Sequence, residues 1–529
     1  MINHSHPILF CAEAKTWESG LLTDEAAEWL AIQQAGSAIA RAIQNDFKEI
    51  GGLSDNARLL VLVGKGHNGG DALLAAKLVL ETYPLASADV VLCFGVEPLR
   101  PLARRSWDEL RRPAGSRARE ISLVEFKNEN GSYALCLDGI FGFQFRPPMD
   151  AAIAELIARV NTHPRIKLRA AVDLPSGLGE TNAGTVFRAD FTYATGIVKS
   201  PVIVEANAPF VGRVRYLDLG FFESNCRSLL AGDGLKESPA SRLLQKQTCH
   251  PDRILLPSIL QPLAQLRPAQ TDKRTYGHLL VLGGSRNYPG AVLMTVQAAL
   301  RSGVGLLTAF VPESLVPEYA ARFPEAMWVG LPQTSQGGIA RSGLSRILDK
   351  LPGADALEIG PGLGTEPETL GLVQDLVAAV KAPFLLDADA LRPEVLGTAH
   401  GKPFICTPHA GEFKRIAGEA SLRDFCRQSG AVVVQKGPHT RISDGGAVYY
   451  NLCGGPVLAR GGSGDLLAGL IGGLLAQGPD NLLLAAARGV VWHGLAADLL
   501  ARDKGQVAVQ TTQLLDYLQP ALHFADHAI

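Results

Sequence analysis

The chain has 529 residues, 47% hydrophobic and 19% charged, with 56 glycines and 32 prolines. That composition excludes a disordered or fibrous protein. Single hydrophobic cores stop growing at roughly 250–300 residues, so two domains are expected. Fifty basic against 52 acidic residues leave a formal charge of −2. Neither a nucleic acid nor a membrane surface is the expected partner; a small molecule is.

Met1 to Trp17 lack the positive segment and long apolar core of a secretion signal, and Glu13 interrupts them early. The eight cysteines are scattered singly, without a CxxC pair or a His/Cys cluster at zinc spacing. Reduced, buried thiols in a cytoplasmic protein are the expectation. The most apolar stretch, Leu466 to Ala476, is about half the length that crosses a bilayer.

Apolar runs at Arg58–Val63, Asp89–Phe94, Ala134–Leu137, Leu168–Val172, Phe191–Thr195 and Arg213–Asp218 read as strands. Ala72–Glu81 and Ala151–Asn161 read as helices between them. Arg100 to Arg119 is arginine-rich, but Asp108, Glu109 and Glu120 interleave and Trp107 is its one aromatic, which favours a solvated helix face. The strand–helix rhythm fails between Phe222 and Leu266. It resumes with His278–Leu282, Leu306–Phe310, Ala356–Ile359, Pro383–Leu386, Pro403–Cys406 and Ala431–Val434, and Arg441–Ser443 with Ala447–Tyr450 reads as a hairpin. Alternating elements of this kind imply parallel sheets covered by helices. The domains are therefore expected at residues 1–225 and 256–529, with 226–255 as linker.

Gly64-Lys-Gly66-His67-Asn68-Gly69-Gly70-Asp71 joins a strand to a helix. Glycines there let a ligand approach the backbone, and amides at a helix start hold phosphate oxygens. The spacing satisfies a dinucleotide fingerprint, yet the acidic residue that should follow about 20 positions on is missing, so conventional hydride transfer is disfavoured. Two further strand ends, Leu137-Asp138-Gly-Ile-Phe-Gly142 and Val172-Asp173-Leu-Pro175-Ser176-Gly177, would converge on the same sheet edge. Asn68, Asp138 and Ser176 offer hard oxygens for a cation, and Asp173 a proton-transferring carboxyl. Each Asp taken alone reads more readily as a helix or turn cap, and the coincidence of three strand-end motifs shifts the balance.

These three stretches resemble the signatures of the YjeF N-terminal family, the NAD(P)H-hydrate epimerases, over about residues 10–220. The resemblance implies a Rossmann-like three-layer α/β/α domain that interconverts R and S hydrates of reduced nicotinamide dinucleotides. It implies potassium at Asn68, Asp138 and Ser176, and acid/base work by Asp173. Substrate contacts are implied at His67, Asn68, Gly69, Gly70, Asp71, Gly142, Phe143, Gln144, Phe145, Arg146, Pro147 and Pro148. His67-Asn68 replaces the family's usual pair of asparagines.

In the second half, Arg460-Gly461-Gly462-Ser463-Gly464-Asp465 opens a long apolar helix. Consecutive amides at a helix start stabilise a transferring phosphoryl group, and Asp465 stands where a base would accept a hydroxyl proton. This loop resembles the anion hole and base of the ribokinase-like superfamily. Gly283-Gly284-Ser285, Gly360-Pro-Gly362, Asp387-Ala-Asp389, Thr407-Pro408-His409-Ala-Gly411-Glu412 and Lys436–Thr440 narrow the resemblance to its NAD(P)H-hydrate dehydratases. A ribokinase-like α/β/α domain is implied, dehydrating the S hydrate with ADP as co-substrate and giving AMP and phosphate.

Implied substrate contacts are Ala291, Gly362, His409 and Asp465. Implied nucleotide contacts are Lys436, Gly437, Pro438, His439, Thr440, Gly461, Gly462, Ser463 and Gly464, with Asp389 or Glu412 ordering Mg2+. His409 reads equally as a satisfied loop histidine. Ser463 replaces the usual threonine, and Leu452-Cys453-Gly454-Gly455 departs from the common Asn-Pro-Gly-Met. The competing reading is a small-molecule kinase with a non-catalytic dinucleotide- or protein-binding N-terminal module. Apolar helix surface in both halves leaves a homo-oligomer open.

Overall fold

A computed structural model describes residues 2–128, 131–180, 184–222 and 252–527. Within these, one compact unit takes residues 6–222 and the other takes 2–5 with 252–527. Most of the expected linker lies outside the described residues, as do Cys226 and Cys249. Its last part, Arg253–Leu255, is a strand of the second unit, parallel to Val448–Asn451.

The sheet of the first unit runs in the order Ala118–Glu120, Ser87–Leu92, Arg58–Val63, Tyr133–Gly139, Ile166–Val172, Phe191–Thr195, Arg213–Leu217, all parallel. The chain moves outward from Arg58–Val63, then returns to its other side at Tyr133–Gly139. Strand order reverses there, and a crevice opens at the carboxyl ends of those two strands. The loops meet closely: the Gly64 amide donates to Gly139 O at 3.1 Å, and a Cβ on Gly64 would lie 1.8 Å from Ile140 O. Only glycine fits that position.

The helix after this loop begins at His67 rather than at Ala72, so His67, Asn68, Gly69 and Gly70 form its first turn. Glycine propensity argues against a helix here, but packing overrides it. A Cβ on Gly69 would meet Gly64 O at 2.5 Å, and one on Gly70 would meet Ser106 Oγ at 3.1 Å. The arginine-rich segment is the helix Pro101–Ala114, which buries Leu102, Ala103, Ser106, Trp107 and Leu110 and turns its arginines outward. Lys77 pairs with Glu109 at 3.2 Å, as a solvated face allows.

The second sheet runs Met327–Leu331, Leu306–Pro312, His278–Leu282, Ala356–Ile359, Phe384–Leu386, Phe404–Cys406, Val432–Gln435, Thr440–Ser443, Val448–Asn451, Arg253–Leu255. It is parallel except around the hairpin Thr440–Ser443/Val448–Asn451, whose turn uses Gly445 at φ +94°. Strand order again reverses, between His278–Leu282 and Ala356–Ile359. The apolar stretch Leu466 to Ala476 lies in the buried helix Ser463–Gln477. Leu482–Lys504 is long and apolar enough to cross a bilayer, but 72% of its apolar 18-residue stretch is buried inside the protein. Its apolar surface belongs to the core, with Val491, Trp492 and Leu495 packed in the main cluster.

Candidate active sites

In the first unit, the crevice is a cavity of about 530 Å³. His67, Asn68, Asp71, Gly142, Phe143, Gln144, Phe145, Arg146, Pro148 and Asp173 line it. Gly69 and Gly70 serve packing instead, and Pro147 stands outside the lining. The loop after Gly142 folds on itself through Phe145 N to Gly142 O at 3.0 Å and the Phe141–Phe145 ring pair at 4.7 Å.

Asp138 and Ser176 sit behind this wall, fully buried. Ser176 Oγ donates to Asp138 Oδ1 at 2.7 Å and its amide to Oδ2 at 2.8 Å. The Phe141 amide donates to Ser176 Oγ at 2.9 Å. Asn68 Nδ2 donates to Phe141 O at 3.1 Å and Val172 O at 2.9 Å, tying three strand ends together. Burial pushes the Asp138 carboxyl up to about 6, with hydrogen bonds from Ser176 and Ile140 as the partial offset. A buried carboxyl among amide, hydroxyl and carbonyl groups is a setting that a hard monovalent cation fits, since it supplies the missing positive charge.

Asp173 adopts φ +65°, a left-handed conformation rare for residues other than glycine, asparagine and aspartate. Its Oδ1 accepts from Lys199 Nζ at 2.6 Å, while Oδ2 is buried without a partner. Lys199 also stands 3.4 Å from Glu18 Oε1 and 4.8 Å from the centre of the Phe143 ring. Glu18, Asp71, Asp173 and Lys199 all line the cavity. Burial, partly offset by Lys199, pushes Glu18 up to about 7, and burial holds Asp71 well above the usual carboxylate range. Glu18 and Lys199 escaped the sequence reading. Lys199 follows the strand Phe191–Thr195, so the strand-end rule could have found it; Glu18, on the helix Cys11–Leu21, carries no local signal.

In the second unit, Asp465 lies in the first turn of the helix Ser463–Gln477, after Gly462 at φ +88°. Arg460 pins the loop through Val457 O at 3.2 Å and Val509 O at 2.8 Å. Gly461 O accepts from Thr511 Oγ1 at 2.9 Å, and Ser463 Oγ lies 3.5 Å from His493 Nε2. Burial and then Asp387 push the Asp465 carboxyl up to about 7, against the pull of Lys436.

Lys436 Nζ donates to Asp387 Oδ1 at 3.0 Å, and that oxygen also accepts from Thr407 Oγ1 at 2.6 Å. A Cβ on Gly464 would come 3.3 Å from the same ammonium, so Lys436 reaches the glycine loop. Gly437 and Thr440 close a turn at 3.4 Å; Pro438 is exposed and His439 half-buried. Ala291 and Gly362 meet, a Cβ on Gly362 falling 3.0 Å from Ala291 Cβ. From the same helix as Ala291, Thr295 Oγ1 donates to Asp465 O at 3.2 Å.

His409 caps the helix Ala410–Ala417: its Nδ1 accepts from the Gly411 amide at 3.0 Å and the Glu412 amide at 3.3 Å. Glu412 Oε2 accepts from the His409 amide at 2.8 Å, and Asp389 Oδ2 from the Gly364 amide at 2.9 Å. The cap leaves the His409 side chain 62% exposed. Two carboxylates already oriented by backbone amides, with Glu412 Oε2 4.0 Å from Lys436 Nζ, fit a magnesium ion that keeps most of its waters.

Two family models match the chain: YjeF-related protein N-terminus over residues 31–200, and NAD(P)H-hydrate dehydratase over residues 279–520. A bifunctional NAD(P)H-hydrate repair enzyme of Moorella thermoacetica is 34% identical, covering 92% of this chain and 91% of its own length. One from Gloeobacter violaceus is 36% identical, covering 93% of each. The chain belongs to the bifunctional NAD(P)H-hydrate repair enzyme family. An NAD(P)H-hydrate dehydratase structure from Bacillus subtilis, described as ADP/ATP-dependent, is similar at 29% identity over 50% of this chain and 96% of that one, with a TM-score of 0.43. The repair-enzyme relatives run through both units, which fits a Rossmann-like first unit and a ribokinase-like second.

Proposed function

We propose that the first unit interconverts the R and S hydrates of NADH or NADPH at the Asp173 cavity, and that the second dehydrates the S hydrate with ADP. The observation that carries the first half is the Asp173–Lys199 pair, buried at a strand end with one carboxylate oxygen unpartnered. Asp173 takes the proton of the 6-hydroxyl and returns it. Asn68, Asp138 and Ser176 would hold potassium, which locks the three strand-end loops when bound. Gly66 and the amides that open the helix His67–Thr82 face the substrate's phosphates.

In the second unit, Asp465 accepts the proton of the 6-hydroxyl as its oxygen bonds to the β-phosphorus of ADP and AMP leaves. Amides of Gly461 to Gly464 and the Lys436 ammonium stabilise the developing charge. Loss of phosphate from C6 and a proton from C5 then restores the reduced nicotinamide. Asp389 and Glu412 would hold magnesium, which neutralises phosphate charge during transfer.

One assay tests both halves. A mixed R/S NADH hydrate is supplied with ADP and magnesium, and NADH absorbance is followed. Full recovery faster than spontaneous epimerisation is expected; recovery that stops at the S fraction defeats the epimerase, and none at all defeats the dehydratase. Asp465→Asn should abolish NADH formation while R/S exchange continues.

A further inference from the structure

Epimerisation at C6 by ring opening moves two protons, not one: the 6-hydroxyl loses a proton and the ring nitrogen N1 gains one. Asp173 accounts for the first. The cavity contains a second carboxyl tied to the same ammonium, since Lys199 Nζ stands 2.6 Å from Asp173 Oδ1 and 3.4 Å from Glu18 Oε1. Lys199 and Asp173 are almost wholly buried, whereas the Glu18 side chain is 22% exposed at the cavity wall.

We infer that Glu18 is the proton donor to N1 and that Lys199 is the positioning residue that holds Glu18 and Asp173 as an acid/base pair. This rests on the reading of the first unit as the epimerase. In opening, Asp173 removes the hydroxyl proton, the oxygen's pair forms the C6 carbonyl, and the C6–N1 bond breaks with its pair moving to N1. N1 takes the proton from Glu18. After rotation about C5–C6, N1 returns that proton to Glu18 as its pair closes on the opposite face of C6. The carbonyl oxygen takes back the proton held by Asp173, so both carboxyls end as they began and no further reactant is consumed.

The division of labour follows from the geometry. Asp173, the acceptor, makes the shorter ion pair with Lys199, at 2.6 Å against 3.4 Å for Glu18. Glu18, farther from the ammonium and pushed up to about 7 by burial, exchanges a proton near neutrality. Asp71 lines the same cavity with Oδ1 unpartnered and its carboxyl pushed up by burial, but the Lys199 ammonium pairs with Glu18 and Asp173. Lys199, Asp173 and Asp71 are the ionisable groups coupled to this exchange. The wall also carries Glu28, His67, Lys65, Arg100, Arg146 and Asp150.

The full-length enzyme is assayed by R/S exchange across pH, with the thermal transition of the first unit as the check that each variant is folded. The donor must be protonated, so wild-type exchange falls as pH rises through about 7. Glu18→Gln should lower kcat at least about 100-fold with little change in KM and should erase that descending limb. Glu18→Asp should recover part of the rate and the limb; a Gln variant that is unfolded leaves this one to decide. Lys199→Met should move the limb to higher pH, because Lys199 holds the Glu18 value down. A Glu18→Gln rate within threefold of wild type, a slow variant that keeps the limb, or loss of the limb in Asp71→Asn instead would overturn the inference. Absence of exchange in the wild type would defeat the epimerase reading itself, whereas normal wild-type exchange with an unaffected Glu18→Gln defeats only the role of Glu18.

Discussion

Glu358 Oε2 fills the space that a side-chain methyl on Gly472 would need, for a Cβ there would lie 2.3 Å from the oxygen. Glu358 is fully buried on the strand Ala356–Ile359, and neither of its carboxyl oxygens has a hydrogen-bond partner. Burial holds its pKa well above the usual range and so favours its neutral form.

The sign of the resulting pH effect follows from proton linkage. Folded Glu358 keeps its proton at pH values where the unfolded chain releases it. Stability attributable to this residue is therefore intact below the unfolded value of 4.5 and declines as pH rises toward the folded one. Glu358→Gln should stabilise the second unit by an amount that grows by about 1.4 kcal/mol per pH unit above that value and is read as a rise in Tm. Equal Tm values for the two proteins at every pH, in calorimetric scans between pH 4 and 8, would refute this.

Gly472→Ala should destabilise the same unit by about 1–3 kcal/mol through overpacking. In a Glu358→Val background the methyl has room, so the double mutant should be clearly less destabilised than the sum of the singles. Denaturant titration of the four proteins in the cycle provides the check.

As the proposed base, Asp465 must be ionised. With its carboxyl pushed up to about 7 by burial, kcat/KM for S-hydrate dehydration should rise with pH through an ascending limb near that value. Lys436→Met removes the charge that pulls it down and should move this limb upward, while also raising the KM for ADP. An unmoved limb in a folded variant would separate Lys436 from the base.

Potassium should stabilise the first unit and accelerate exchange. Adding it should raise the first unit's Tm with concentration, as expected of a ligand bound only by the folded state. Asp138→Asn, which removes the carboxylate buried beside Ser176, should abolish both responses. Titration with potassium, and with sodium as the comparison ion, measures them.

The two glycine loops, the strand ends bearing Asp138, Asp173 and Asp389, and the Lys436 segment were legible locally. Glycine before a helix and an acid after a strand carry their chemistry within a few residues. Helix onset at His67 was not legible, because the packing of Gly69 against Gly64 O overrides propensity. Met327–Leu331 and Ala118–Glu120 were missed as strands; both lie at a sheet edge, where half-exposed and charged residues blur the apolar run.

By itself the sequence determined the two-unit α/β plan, the glycine loops and the resemblance to hydrate-repair enzymes, since each rests on residues close together in the chain. Only the tertiary structure decided that Lys199 and Glu18 join Asp173, that His409 spends its Nδ1 on a helix cap, and that Glu358 is a buried acid facing Gly472. Ion pairing and desolvation depend on which distant groups meet and on how much water is left between them. No local pattern of residues encodes either.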